Sequence, residues 1–134
     1  MSASYELQKA IYTALTSDTE LMADITGVFD SVPDNYDQFP YVTIGEDVLT
    51  EFDTDSTNGF NGSITIHAWS RYDGRKEAKT IQGLIYDTLH KSTLPMTGYA
   101  MILMRQESEN TLLDPDGVTR HGVQTFNTMF IKTV

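Results

Sequence analysis

No cysteine occurs among the 134 residues. Disulfides, thiolate metal sites and cysteine nucleophiles are therefore excluded together, and the composition suits a reducing cytoplasm. Basic residues are scarce in the first half. Residues 1–70 hold twelve acids against one base, Lys9, whereas residues 71–134 hold seven acids and eight bases. The two portions carry −11 and +1, and the whole chain −10. Nucleic-acid binding needs basic surface that displaces phosphate counterions, so the acidic portion repels DNA. The acidity has two readings: a solvated surface that maintains solubility, or one side of a charge-complementary contact between subunits. Long apolar runs are missing too. None approaches the ~20 residues needed to cross a bilayer, so no membrane partner is expected. The opening Met1-Ser2-Ala3-Ser4-Tyr5-Glu6 has neither a basic n-region nor an apolar h-region, so no secretory signal is expected.

Chemistry-bearing motifs are equally sparse. The three histidines, His67, His90 and His121, form no HxxxH or HExxH pair, which argues against a dedicated zinc site. His90 suits a helix C-terminus, where the dipole favours it, and His121 beside Gly122 reads as a turn or interface residue. No serine sits in a G-x-S-x-G setting. Asn58-Gly59-Phe60-Asn61-Gly62 lacks the lysine and following helix of a phosphate loop. The run Asp53-Thr54-Asp55-Ser56-Thr57-Asn58-Gly59 fails as a calcium loop, because its glycine falls one position late and Ile64 stands where a bidentate glutamate is required. Only adventitious calcium binding is left open there. Asp114 and Asp116 flank Pro115 and read as turn formers. No enzymatic activity and no cofactor are expected.

What is present is an ordered set of helices and strands. Leu7, Ile11 and Leu15 fall at i, i+4 and i+8, which predicts an amphipathic helix over 4–16. Ser17 or Asp18 can cap a short second helix through Leu21, Met22 and Ile25, ended by Gly27. Val28 to Val32 suits a short strand, and residues 33–37 a turn-rich loop. Residues 41–50 and 62–70 read as strands. Pro40, with no N–H, fits the first position of a strand or a sheet edge, and Gly45 suggests a bulge or close backbone approach. Asp73 is the expected cap of a helix from Arg75 to Lys91 with the stripe Ala78, Ile81, Leu84, Ile85 and Leu89. Strands follow at 99–107 and 123–131. Residues 53–61 are expected as a mobile loop or hairpin tip, and 108–120 as a loop that is long for a simple hairpin. The last strand carries apolar residues at both parities: Val123, Met129 and Ile131 on one side, Phe126 and Phe130 on the other. That leaves open a subunit contact or a locally twisted strand in an ordinary core. Phe39, Tyr41 and Trp69 read as core or sheet-packing residues. The expected fold is α+β, one domain over 1–134: four to five mainly antiparallel strands with two or three helices packed on one face.

Arg71, Arg75, Lys76 and Lys79 cluster at the start of the long helix. Like charges at i, i+4 repel, and cations at a helix N-terminus oppose the dipole. An acidic surface facing them relieves both, and the segment carrying Glu46, Asp47 and Glu51 is the candidate, within one chain or across a subunit contact.

The order of four fragments is more telling than any one of them. Pro33, Asn35, Phe39-Pro40-Tyr41-Val42 and Ile44-Gly45-Glu46 come first. Ile64, Ile66 and Trp69-Ser70 follow, then Asp73-Gly74-Arg75-Lys76-Glu77-Ala78, and last Arg120-His121-Gly122-Val123 with Phe126. This ordered set resembles the tail-completion, or tail-terminator, proteins of long-tailed bacteriophages, a family also found in prophages and gene-transfer agents. The resemblance implies a structural virion protein at the neck end of the tail, assembled in the host cytoplasm. It implies a homo-oligomeric ring, usually a hexamer, that binds the major tail tube protein, ends tube growth and offers a face to a head-side connector. DNA would pass through without specific binding. The two polar segments would then dock adjacent rings, through Asp53, Asp55, Asn58 and Phe60 in one and Asp114, Asp116 and Arg120 in the other. Alternatives are a head-completion or other neck protein, and a non-viral cytoplasmic α+β binding module.

Overall fold

The computed structural model describes residues 2–133. In chain order the elements are α1 (Ala3–Thr16), α2 (Thr19–Asp24), β1 (Val28–Phe29), β2 (Tyr41–Asp53), β3 (Asn58–Ser70), α3 (Lys76–Leu89), β4 (Pro95–Met96), β5 (Tyr99–Leu113) and β6 (Arg120–Lys132). The strands form one sheet in the order β1-β2-β3-β6-β5-β4. β1 runs parallel to β2, and the other neighbours are antiparallel.

The fold is α+β as expected, but the sheet is mixed and six-stranded rather than four- or five-stranded. β1, expected over 28–32, is confined to Val28–Phe29 at one edge, and the strand not foreseen is β4, two residues at the other edge. A two-residue strand such as β4 is too short to show a period of two.

The helices follow their apolar stripes. Leu7, Ile11 and Leu15 of α1 and Ile81, Ile85 and Leu89 of α3 are fully buried against Ile64, Ile66, Phe126 and Phe130 of the sheet. Asp18 caps α2, accepting from the N–H groups of Glu20 and Leu21 at 3.0 and 3.3 Å. The expected cap of α3 is corrected. The N-cap position is Arg75, which makes no side-chain cap, and Asp73 lies two residues ahead of it, beyond Gly74 at φ 114°. Ser70 instead donates to the Glu77 carboxylate at 2.7 Å and accepts from Tyr72 N–H at 3.1 Å, which ties the end of β3 to the first turn of α3.

Gly45 is both a bulge and a close approach. The β2–β3 register shifts between Ile44 and Asp47, and a Cβ at Gly45 would meet His67 Nε2 at 2.6 Å.

The two polar segments hold the expected hairpin tip and turn, but the strands run further into both than expected. Asp53 pairs with Asn58, so only residues 54–57 turn the β2–β3 hairpin. Leu113 pairs with Arg120, so only residues 114–119 turn the β5–β6 hairpin. Both segments are mostly strand. Their side chains lie largely in solvent, and a strand exposed on both faces is under no pressure to alternate. Backbone pairing holds it, aided by Gln82 bonding Asn110 and Thr111 in one segment and by the Phe52 ring lying over Gly59 in the other.

Candidate interaction surfaces

The helices cover one face of the sheet. On β6 that face is Gly122, Gln124, Phe126, Thr128 and Phe130, all buried. Strand alternation sends His121, Val123, Thr125, Asn127, Met129 and Ile131 to the other face, where they are half-buried or exposed. Val123, Met129 and Ile131 thus occupy a face with no helix over it. Val48, Asn61, Ser63, Leu103, Asn127 and Met129 border a shallow depression there with an uncharged lining, and Arg105 lies opposite Asn127 on β5.

Toward one end this open face becomes aromatic. Tyr41 packs on Phe29, Tyr36, Phe39 and Trp69, with ring centroids 5.0 to 6.4 Å apart. The sheet-packing expectation for Phe39, Tyr41 and Trp69 holds, although on the face away from the helices. Trp69 donates to Thr43 Oγ1 at 3.1 Å and stacks on His121, its partner in the β3–β6 register, with centroids 3.8 Å apart. Arg71 lies 4.5 Å from the Phe39 ring centroid and donates from Nε to Thr119 Oγ1 at 3.2 Å.

Two histidines meet here. His67 Nδ1 and His121 Nε2 are 2.6 Å apart, with Glu46 3.2 Å from His67 Nε2 and Asp114 3.6 Å from His121 Nδ1. Burial, aided by the charge of His67, holds His121 below its ordinary pKa against the opposing pull of Asp114 and Glu46. Partial burial acts to raise the Glu46 carboxyl, but its own backbone N–H and His67 outweigh this and leave it below its usual value. Burial pushes the Tyr41 phenol up despite Arg71.

The charged residues singled out from the sequence fall in separate places. Glu46, Asp47 and Glu51 lie along β2; Glu46 faces His67, and Asp47 accepts from Ser4 Oγ at 2.6 Å. Arg75, Lys76 and Lys79 are exposed at the start of α3, which packs on β3, β5 and β6. Among the described residues none of these three cations forms an ion pair. The acidic and basic groups are therefore not paired with each other among the described residues.

Of the expected docking residues, Asp55 sits on the exposed β2–β3 turn. Asp53, Asn58 and Phe60 belong to strands instead. Phe60 packs inward, 5.3 Å from Phe130 and 6.1 Å from Tyr99. Asp114 and Asp116 form the β5–β6 turn. Asp116 accepts from Thr119 Oγ1 at 2.7 Å and from the N–H groups of Thr119 and Val118 at 2.8 Å, and these bonds lower its pKa to about 2. Arg120 opens β6, donating to Val118 O at 2.9 Å with Asp73 3.8 Å away.

The two turns lie at opposite ends of the sheet. The β3–β6 register runs through twelve pairs from Gly59↔Ile131, beside the first turn, to Ser70↔Arg120, beside the second. At about 3.4 Å per residue this separates them by roughly 37 Å.

Sequence reasoning missed the pairing of His67 with His121. They are 54 positions apart, and only the β3–β6 register brings them together. His90 also does more than face a helix dipole: its Nδ1 accepts the Gln106 N–H at 3.0 Å, which satisfies part of the β5 edge.

A family profile described as tail completion protein gp17 matches residues 9–131. The chain is 34% identical over 121 residues to the tail completion protein gp17 of Bacillus phage SPP1, covering 90% of this chain and 89% of that protein. The solved structure of bacteriophage SPP1 gp17 is similar, with a TM-score of 0.63 at 29% identity, over 94% of this chain and 89% of the other. A chain in the virion of a native gene transfer agent particle superposes more closely, with a TM-score of 0.90 at 20% identity, over 97% and 98% of the two chains. At that identity the likeness is one of fold.

Proposed function

Because the chain belongs to the tail completion protein gp17 family, we propose that residues 1–134 act as one unit that completes the tail of a phage or related particle. Copies of the chain form a ring, taken as a hexamer, on the last ring of the tail tube. The ring stops tube growth and presents its far side to a head-side connector at the neck. The work is binding rather than catalysis.

The observation that most supports this reading is the placement of the two hairpin turns at opposite ends of one sheet. A protein held between two different partners needs two separate contact regions. Residues 54–57, with Asp55, would meet one partner, and residues 114–119, with Asp114 and Asp116, the other. The charge layout suits a closed ring. A head-to-tail ring joins two different patches of one protein, and the start of α3 and the acidic β2 are two such patches that do not pair with each other among the described residues. The net charge of −10 suits a ring through which DNA passes without sticking.

The test is solution mass by light scattering, first for the protein alone and then with polymerised tail tubes. A closed ring, or a monomer that joins tube ends and arrests their growth, is the expected result. A protein indifferent to tubes that binds the portal or head would instead be a head-joining factor.

A further inference from the structure

Four ionisable side chains form one line across the open face. Glu46 Oε1 lies 3.2 Å from His67 Nε2, His67 Nδ1 lies 2.6 Å from His121 Nε2, and His121 Nδ1 lies 3.6 Å from Asp114 Oδ1. The line begins on β2, crosses β3 and β6, and ends at the β5–β6 turn. Trp69 lies flat on His121, within 12° of parallel.

The arrangement can be read by counting protons. The Glu46 carboxylate is best met by an N–H, Asp114 at 3.6 Å by the N–H side of a charged ring as an ion pair, and the central contact needs one N–H and one lone pair. The line therefore wants three N–H groups on four ring nitrogens. Two neutral imidazoles supply two, and two imidazolium ions supply four. One proton beyond the neutral pair satisfies every contact. A neutral pair leaves one of the three contacts without its proton. A doubly protonated pair sets N–H against N–H, with two positive charges side by side.

We propose that His67 and His121 form a one-proton latch, which fastens β3 to β6 and to the β5–β6 turn while the pair holds a single extra proton. The latch opens when a second proton arrives and slackens when the shared one leaves. The charged groups facing the pair are Glu46 from β2 and Asp114 from the turn. Tyr41 of β2 feels the charges of both Asp114 and Arg71, the latter just beyond β3. Leu112, opposite His121 on β5, is neutral. Proton–proton competition at the 2.6 Å contact places the latch's two transitions on either side of its working range. The lowered pKa of His121 has the matching sign: a depressed group lends stability above its ordinary value and loses it as pH falls. The latch belongs to the isolated chain and does not rest on the ring reading.

The test is an NMR titration of the full chain from pH 9 to 4. It follows the imidazole ring protons, the indole N–H of Trp69 (the sole tryptophan) and the Thr119 amide. The expected result is two steps for the His67–His121 pair, about one pH unit or more apart, with the Trp69 and Thr119 signals moving in both. In His67→Gln the lower step should disappear, leaving His121 with one step at higher pH. Two independent single steps for His67 and His121, with Trp69 and Thr119 unmoved, would overturn the latch. The wild-type titration decides this by itself, so a folding defect in the variant does not blunt the test.

Discussion

At the scale of single residues, the sharpest constraints are steric and polar. Replacing Gly45 by alanine places a Cβ 2.6 Å from His67 Nε2 and 3.0 Å from the Thr65 carbonyl oxygen. The His67 ring can turn aside but the backbone carbonyl has little room, so Gly45→Ala should cost about 1–3 kcal/mol. Denaturant unfolding measures that loss, and an unchanged midpoint would refute it. Phe130 is fully buried between Phe60 and Tyr99, so Phe130→Ala should cost about 3–5 kcal/mol on the same assay. Asp116 sets a pH dependence with a defined sign. Its folded pKa is lowered to about 2 from an ordinary 3.8. The turn it organises is therefore fully supported above the ordinary value and loosens as pH falls toward about 2. Amide-exchange protection factors at Val118 and Thr119, taken relative to the intrinsic rate at each pH, should fall over that window, and Asp116→Asn should lower them already at neutral pH.

At the scale of elements, α3 is held to the sheet by more than its apolar stripe. Gln82 is fully buried and donates from Nε2 to Asn110 O at 3.0 Å, while its Oε1 accepts from Thr111 Oγ1 at 3.1 Å. Its backbone carbonyl accepts from Gln124 Nε2 at 2.9 Å. Gln82→Leu would leave the Asn110 carbonyl and the Thr111 hydroxyl without these partners, at a cost of about 1–3 kcal/mol each if they stay dry. The helices and central strands were legible in sequence because each buries one face, which imposes a 3.6 or 2.0 period. The outer halves of the hairpins were not, because neither face of those segments is buried and their strand state rests on backbone pairing. The turns themselves can be tested as docking elements. Replacing residues 54–57 by a two-residue Asn-Gly turn should preserve the fold and weaken one partner contact. The same operation on residues 114–119 should weaken the other, measured by co-sedimentation with tail tubes.

At the scale of the whole molecule, charge layout governs the expected assembly. Arg75→Glu combined with Lys79→Glu reverses two exposed cations that make no ion pair within the described chain. Folding stability should change by under about 0.5 kcal/mol, while ring assembly or tube-end binding falls, most strongly at low salt, where screening is weakest. Assembly unchanged at both low and high salt would remove this patch from the subunit contact.

Sequence by itself determined the α+β class, the two long helices with their buried stripes, a cap at Ser17 or Asp18, a special backbone site at Gly45 and the family. All of these follow from local periodicity, local backbone chemistry or the order of short segments along the chain. Tertiary structure decided the rest. Pairing β3 with β6 brought His67 to His121 and laid Trp69 on that ring. Antiparallel register sent the two turns to opposite ends of the sheet. The packing of α3 away from β2 kept the acidic and basic groups apart. Each depends on which strands become neighbours, and no local pattern in the chain encodes distances between segments that meet only when the sheet closes.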